Sequence, residues 1–258
     1  MTPKGEIGME EHPSSFIQSR IIKFIIGEDE VECNVHEAAI ANLSEPLWAL
    51  VTNGMKESVR GKVVWKDVEM DIFTKLMEYA YADDFSIIDH EENLSGVGMS
   101  LKDYVEENTE SGMAGYEFAE QHFFNEDDDT SKNDEGETNQ TIHHSQKHYM
   151  SHVRLYIFAG RCAIFGLMNL CIQKIRRMLA NNPIYDDLFA TIWALLEFIW
   201  PRTSSNDMLR ELLLQYLLVN LEKALKSPQA ASVFKSTPEI PAALMLLAPE
   251  GHWASVSI

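Results

Sequence analysis

The hydrophobic pattern changes its period several times between Arg20 and Ala82, and the order of these changes constrains the fold more than any other feature. The stretch "RIIKFIIG" is β-branched and aromatic, and after a turn at Gly27-Glu28-Asp29-Glu30 the stretch "VECNV" alternates apolar and polar residues, which predicts a β-hairpin. "HEAAIANLS" then repeats apolar residues at helical spacing. We expect strand, strand, helix, helix, strand, helix, which is not the regular alternation of a doubly wound sheet.

Local signals place the ends of these elements. Ser44 predicts the N-cap of the second helix with Pro46 in its first turn, and the pair Asn53-Gly54 predicts its end. "GKVVWKDV" is typical of a third strand. The next stretch, "DIFTKLMEYAYA", predicts a helix with an apolar face formed by Ile72, Phe73, Leu76, Met77, Tyr79 and Ala80.

An acidic segment follows this helix. From about Asp89 to Glu137 there are sixteen acidic residues and two basic ones, Lys102 and Lys132, so most of the net charge of -19 lies here. Such a charge block collapses poorly, and we predict a disordered loop insertion over 86–150, in which "MAGYEFAEQHFF" can form a short helix.

The chain after about residue 150 reads as helical up to about 228. Asn181-Asn182-Pro183 ends one helix, and Asn206 is the expected cap of a last long helix, which is apolar on two sides and is therefore buried on both or half of an interface. The tail from about Pro228 is expected along the surface.

The composition excludes several partners. A net charge of -19 argues against nucleic acid, and the basic cluster Lys174, Arg176 and Arg177 reads as one solvated helix face. The longest apolar run, Leu188 to Trp200, is too short to span a bilayer, so no membrane is expected. Residues 1–19 are polar, show no signal-peptide pattern, and predict a flexible N-terminal arm.

Three cysteines without CxxC spacing, Cys33, Cys162 and Cys171, lie in apolar segments. This usage favours reduced thiols and hence a cytoplasmic or nuclear protein.

Catalytic motifs are missing from the sequence. There is no G-x-S-x-G elbow, dinucleotide fingerprint or phosphate loop, so we expect no enzyme and no cofactor. His144, His148 and His152 have the spacing of a helical zinc face, but no cysteine accompanies them, and we read them as the polar start of a helix that binds no metal.

Three stretches together resemble a BTB/POZ domain of the fungal type: "FIIGEDEVECNVHEAAIANLSEPLWALVTNGMKES", "VVWKDVEMDIFTKLMEYAYADDF" and "HVRLYIFAGRCAIFGLMNLCIQKI". The family pattern x-V-H-K-x-x-L-x-x-x-S-x-x-F is met by His36, Ile40, Ser44 and Leu47-Trp48. Asp67-Val68 with Phe73, and Tyr79 to Phe85, resemble two later family steps.

The chain departs from this pattern at three places. Ile40 stands where Leu is usual, Ala82-Asp83 replaces Thr-Gly, and Cys162-Ala163 stands where the family has Tyr-Asp or Tyr-Asn before its Ile. None of these removes a core position.

The resemblance implies an α+β protein with the BTB/POZ fold, in which a small sheet packs with helical hairpins. We expect the domain over 20–180, with the acidic insertion at 86–150 on a surface turn, and a C-terminal helical extension and tail over 181–258.

The resemblance also implies a non-catalytic protein–protein interaction module. BTB domains often dimerise through their first helices, which here would place Ala39, Ile40, Leu47 and Trp48 in the interface of a homodimer. One large group docks on a cullin scaffold as a substrate adaptor of a ubiquitin ligase, through a hydrophobic residue, any residue and Glu. Met55-Lys56-Glu57 fits that pattern, but it also fits a helix end and a solvated loop.

The alternative function is a homodimerising scaffold or transcription-associated protein without a ligase link. His36 has a structural role in either case: its side chain is expected to bond the backbone and to pack its ring where the first helix starts.

Overall fold

The computed structural model describes residues 16, 18–54, 56–86, 101, 114–124, 146–181, 186–219 and 221–249. These residues form two compact units. Unit 1 contains the described residues up to Ser86 together with Phe158–Phe165, and unit 2 contains the others. The domain boundary at residue 180 rests on the sequence alone and stays a prediction.

Unit 1 is built on a three-stranded sheet with the order β2-β1-β3. Strands β1 (Ile21–Ile26) and β2 (Val31–His36) form the predicted antiparallel hairpin, and β3 (Lys62–Trp65) is the predicted third strand, which pairs parallel to β1. The side chains of Ile22, Phe24 and Ile26 lie on one face and are buried, and the Phe24 ring packs on Phe73 with centroids 5.5 Å apart. The core of unit 1 therefore packs against this face, and Ile25 on the opposite face is buried as well.

The predicted helices of unit 1 are present. They are α1 (Glu37–Ala41), α2 (Glu45–Thr52) and α4 (Met70–Ala82), and a short helix α3 (Lys56–Arg60) lies between α2 and β3. The sequence of α3 indicates only a loop, since five residues are too few to show helical periodicity. The capping predictions are confirmed: the Ser44 hydroxyl accepts a hydrogen bond from the Leu47 N–H at 3.3 Å, and Asn53 is the C-cap of α2.

The rest of the described chain is helical, as predicted. The helices are α5 (Ala114–Phe123), α6 (Gln146–Arg161), α7 (Phe165–Asn181), α8 (Asp186–Ile199), a 3₁₀ turn (Trp200–Arg202), α9 (Met208–Val219), α10 (Leu221–Lys226), α11 (Pro228–Ser236) and α12 (Glu239–Leu247). None of the helices described here has both the length and the hydropathy that a membrane span requires.

Helix α5 is the short helix predicted within the acidic segment. Phe118, Ala119 and Phe123 are buried, and the Phe123 ring packs edge-on against Tyr216 of α9 with centroids 5.7 Å apart. The aromatic pattern of α5 therefore buries its apolar face in unit 2. Of the segment 86–150, for which we predicted disorder, only Ser86, Leu101, 114–124 and 146–150 lie within the described residues.

Helix α9 is buried on all sides from Leu212 to Val219. Both leucine faces of α9 are thus buried inside unit 2, so they do not support a role for this helix in a dimer interface. The predicted cap at Asn206 is wrong by one position: Asp207 accepts a hydrogen bond from the Leu209 N–H at 2.9 Å, and its second oxygen accepts one from the Tyr156 hydroxyl at 3.1 Å. This tertiary bond, invisible in the local sequence, favours Asp207 as the cap.

The expectation of a surface tail after Pro228 is also wrong. Helices α11 and α12 cover this stretch, and four of their apolar side chains are buried, namely Ala230, Val233, Ile240 and Leu244. Pro228 and Pro241 lie in the first turns of these helices and Pro238 is the N-cap of α12, places where the missing N–H of proline costs no helical hydrogen bond.

Candidate interaction surface

His36 ends β2 and is the N-cap of α1. The Tyr81 hydroxyl accepts a hydrogen bond from the His36 backbone N–H at 3.1 Å and lies 2.9 Å from His36 Nδ1. The two rings also meet edge-on with centroids 5.9 Å apart. One tyrosine on α4 therefore contacts both the backbone N–H and the ring of His36, where a bond from the ring to the backbone was expected. The structural role of His36 stays a prediction.

Arg20 connects three helices of unit 1. Its guanidinium donates hydrogen bonds to Glu37 Oε2 at 2.6 Å, to the Val51 carbonyl at 3.0 Å and to the Ser58 carbonyl at 2.9 Å. These acceptors belong to the start of α1, the end of α2 and the middle of α3. The planar fork of arginine suits this triple contact, and we call it the Arg20 clamp.

The helices expected at a dimer interface show two kinds of surface. Ala39, Ile40 and Leu47 have exposures of 1%, 0% and 3%, so their side chains are in the core of unit 1. Trp48 on α2 is 49% exposed. Among these four residues, the indole of Trp48 is the side chain available to a partner.

The loop expected to contact a cullin lies between α2 and β3. Met55 lies outside the described residues. Glu57 is half-buried in the first turn of α3, and the next residue, Ser58, is buried and held through its carbonyl by the Arg20 clamp. The position of Glu57 is therefore tied to the rest of unit 1.

Beside Glu57 is a cleft of about 280 Å³ between α3 and the outer face of the sheet. Its lining residues are Lys56, Glu57, Arg60, Lys62 and Val64. Within the described part of the chain, the three cations have no ion-pair partner. In contrast, Lys23 on β1 and Lys66 directly after β3 are paired with Glu32 and Glu30. The cleft is thus a positive site on a strongly acidic protein.

The segment 158–165 completes unit 1. The Phe158 ring meets Trp65 edge-on with centroids 5.3 Å apart, and Arg161 donates to Asp67 at 2.8 Å, a hydrogen bond that holds the pKa of Asp67 below its ordinary value. Ala163 then adopts a left-handed conformation with φ 55°. The Ile164 N–H bonds to the Ala159 carbonyl at 2.9 Å and the Ala163 N–H to the Gly160 carbonyl at 3.2 Å, which is a Schellman motif.

The residues considered for chemistry lie in unreactive surroundings. All three cysteines are free thiols, and burial raises the pKa of Cys162 to about 11 and raises that of Cys171. His152 is buried with Nδ1 2.9 Å from the His148 carbonyl, and His144 lies outside the described residues. No cluster of three or more potential metal ligands occurs among the residues whose placement is known.

Comparison with known families decides the class of unit 1. Residues 22–104 match the BTB/POZ domain family. The chain contains a BTB/POZ domain. It comprises the small sheet and the helices α1 to α4, in an α+β protein with a helical C-terminal region. No curated protein matches the chain.

BTB/POZ domains are protein–protein interaction modules and are generally not enzymes, so the coarse function of this chain is protein binding. The match does not address the fungal subgroup, which stays a prediction. The proposed interface residues Met55, Glu57, Ala39, Ile40, Leu47 and Trp48 also remain predictions, and the burial of three of them limits any direct contact to the others.

Sequence reasoning missed three features of this BTB/POZ surface. It did not find the partner of His36, because Tyr81 lies 45 residues further along the chain. It expected no contact for Arg20, which simply precedes the first strand, although its guanidinium binds three helices. It did not single out Lys56, Arg60 and Lys62, whose irregular spacing gives no motif; only the return of β3 beside β1 brings them together.

Proposed function

We propose that this chain is a non-catalytic interaction protein whose BTB/POZ domain docks on a cullin scaffold as a substrate adaptor of a ubiquitin ligase. One observation carries the proposal: Glu57, two residues after Met55 in the sequence, has a fixed position, because the Arg20 clamp holds the adjacent Ser58 carbonyl. A preorganised acceptor loses little conformational entropy on binding. The three free thiols support a place in the cytoplasm or nucleus.

The two side chains would have different tasks. Met55 would fill an apolar depression of the scaffold, for which its flexible thioether is suited. Glu57 would accept hydrogen bonds from donors at the rim of the interface, and its loss would leave those donors unpaired.

A pull-down of purified cullin on the full chain tests this proposal. We expect Met55→Ala with Glu57→Ala to weaken recovery of the cullin about tenfold or more, as for removal of an interface anchor. The matched control is Met245→Ala with Glu239→Ala on α12, which removes an exposed Met and an exposed Glu from unit 2 and should leave recovery unchanged. Equal recovery by both variants, each with an unaltered circular dichroism spectrum, would refute the adaptor role.

A second candidate is a homodimerising scaffold or transcription-associated protein without a ligase link. The observation that favours it is Trp48, whose large apolar ring is 49% exposed on α2. Exposed tryptophan is enriched at the centres of protein interfaces. A two-fold axis near α2 would bury both copies of this ring at once.

A further inference from the structure

The free edge of the BTB/POZ sheet is the strongest unassigned feature of unit 1. β3 pairs with β1 on one side, and no other described strand pairs with it. The Lys23 N–H donates to the Gly61 carbonyl at 2.9 Å and the Gly27 N–H donates to the Trp65 carbonyl at 3.0 Å. Since backbone groups alternate in direction along a strand, residues 61, 63 and 65 face β1.

The same alternation points the N–H and C=O groups of Lys62 and Val64 away from β1. Neither residue makes a hydrogen bond with another described residue through these groups. An edge of this kind accepts a further extended strand.

The side chains at this edge indicate the chemistry of the strand. Lys62 and Val64 are exposed and line the cleft together with Lys56 and Arg60 of α3. Lys62 also contributes to the low pKa values of Glu30 and Glu32, but their main partners are Lys66 and Lys23, so Lys62 forms no ion pair with another described residue. Three cations that are unpaired within the described part of the chain surround one carboxylate, and this cluster is complementary to a negative partner.

We propose that the edge of β3 binds an acidic, extended peptide segment of a partner protein, which adds as a fourth strand. Its backbone pairs with Lys62 and Val64, and its carboxylates lie on the cleft face, where they meet Lys56, Arg60 and Lys62. The alternating β-branched side chains lie on the opposite face and favour the extended conformation. The role does not require a cullin, because the contacts use the edge of the sheet rather than Met55 and the Glu57 carboxylate.

Fluorescence anisotropy of the full chain with labelled synthetic peptides tests the proposal. The first probe is a short peptide in which Val and Glu alternate, the second alternates Val and Lys, and the third is the Val–Glu peptide with prolines at alternate Val positions. At a salt concentration of about 0.15 M we expect the Val–Glu peptide to bind at least about tenfold more tightly than either other probe.

Variants locate the site. Lys56→Glu with Arg60→Glu reverses two exposed charges of the cleft outside β3, and we expect about a tenfold loss of affinity for the Val–Glu peptide. The control, Lys226→Glu with Lys235→Glu, makes the same change of net charge in unit 2 and should bind as the wild type does. Met55→Ala alone removes the expected cullin anchor and changes none of the described residues that line the cleft, so it should also keep the peptide. Failure of the cullin proposal and failure of this one are therefore distinguishable.

Hydrogen exchange distinguishes strand pairing from charge attraction, because charge attraction alone does not protect backbone amides. Bound Val–Glu peptide should slow exchange of the Lys62 and Val64 amides, since they become donors to the added strand. Undetectable binding, equal binding of the proline probe, equal affinities of the cleft and control variants, or unchanged exchange at these two amides would each overturn the proposal.

Discussion

Ala163 adopts the left-handed conformation that ends α6, with φ 55°. An alanine pays a steric cost there that glycine does not, and this explains why a residue tolerant of positive φ is common at this place in the family. We expect Ala163→Gly to raise the free energy of unfolding by about 0.5–1 kcal/mol, after allowance for the greater entropy of glycine in the unfolded chain. Urea unfolding monitored by circular dichroism measures the change.

The control for this substitution is Ala159→Gly, four residues earlier. Ala159 is buried in the interior of α6, where glycine gives no relief of strain. Its replacement should lower the free energy of unfolding by about 1 kcal/mol. Destabilisation by both glycines to the same extent would show that Ala163 carries no strain.

His36 and Tyr81 provide a second test at this scale. Removal of the hydroxyl in Tyr81→Phe leaves the His36 N–H and Nδ1 without this partner. We expect Tyr81→Phe to lose about 1 kcal/mol in stability. A double-mutant cycle with His36→Ala, which keeps the backbone N–H, should give a smaller coupling energy that reports the ring contact. A coupling energy near zero by urea unfolding would refute the structural role of His36.

Arg20 acts at the scale of elements, because it joins the start of α1, the end of α2 and the middle of α3. We expect Arg20→Ala to lower the free energy of unfolding by about 1–2 kcal/mol and to speed hydrogen exchange of the α3 amides, since two backbone carbonyls lose a charged donor. If Glu57 binds a cullin, the same variant should weaken that binding although it does not touch Glu57.

The matched control is Lys23→Ala, which breaks the exposed ion pair with Glu32 on the same sheet. Such a pair contributes less than about 1 kcal/mol and does not reach α3. If the α3 amides exchange as slowly in Arg20→Ala as in Lys23→Ala, the Arg20 clamp does not stabilise α3.

His122 makes the packing of α5 dependent on pH. Burial lowers the pKa of His122 below its ordinary value of 6.5; nearby Arg176 lowers it further, and Glu211 opposes both. The unfolded chain therefore binds a proton more readily than the folded one, and stability falls as the pH drops below about 6.5 towards the folded-state pKa. Urea midpoints at pH values of about 7.5 and 5.5 measure this loss.

His122→Gln is the comparison, since glutamine does not titrate and has a similar polar reach. The difference in midpoint between the two pH values should be smaller in this variant than in the wild type. An unchanged difference would assign the pH dependence to other groups.

At the scale of the whole molecule, we predict that the protein forms a dimer. We expect light scattering at concentrations of tens of micromolar to give the mass of a dimer, and Trp48→Glu to shift it to that of a monomer, because a carboxylate cannot be buried unpaired at a two-fold axis. Val59→Glu, at a 74% exposed position on α3, is the matched control. A monomer mass for the wild-type protein at these concentrations would refute the predicted dimer.

The sequence alone predicted the hairpin, β3, α1, α2, α4 and the Ser44 cap, because periodicity and capping are local signals. It misplaced the α9 cap and the tail after Pro228, since burial against distant helices decided both. It could not locate the Arg20 clamp, whose contacts span 17 to 38 residues, or the positive cleft beside β3.

The return of residues 158–165 to unit 1 has a consequence for synthesis on the ribosome. Trp65 and Asp67 emerge long before Phe158 and Arg161, which pack on them. These two contacts therefore cannot form until the acidic segment and most of α6 have left the exit tunnel. During that interval Trp65 lacks one of its aromatic neighbours, Phe158, although the strands of the sheet have already been synthesised.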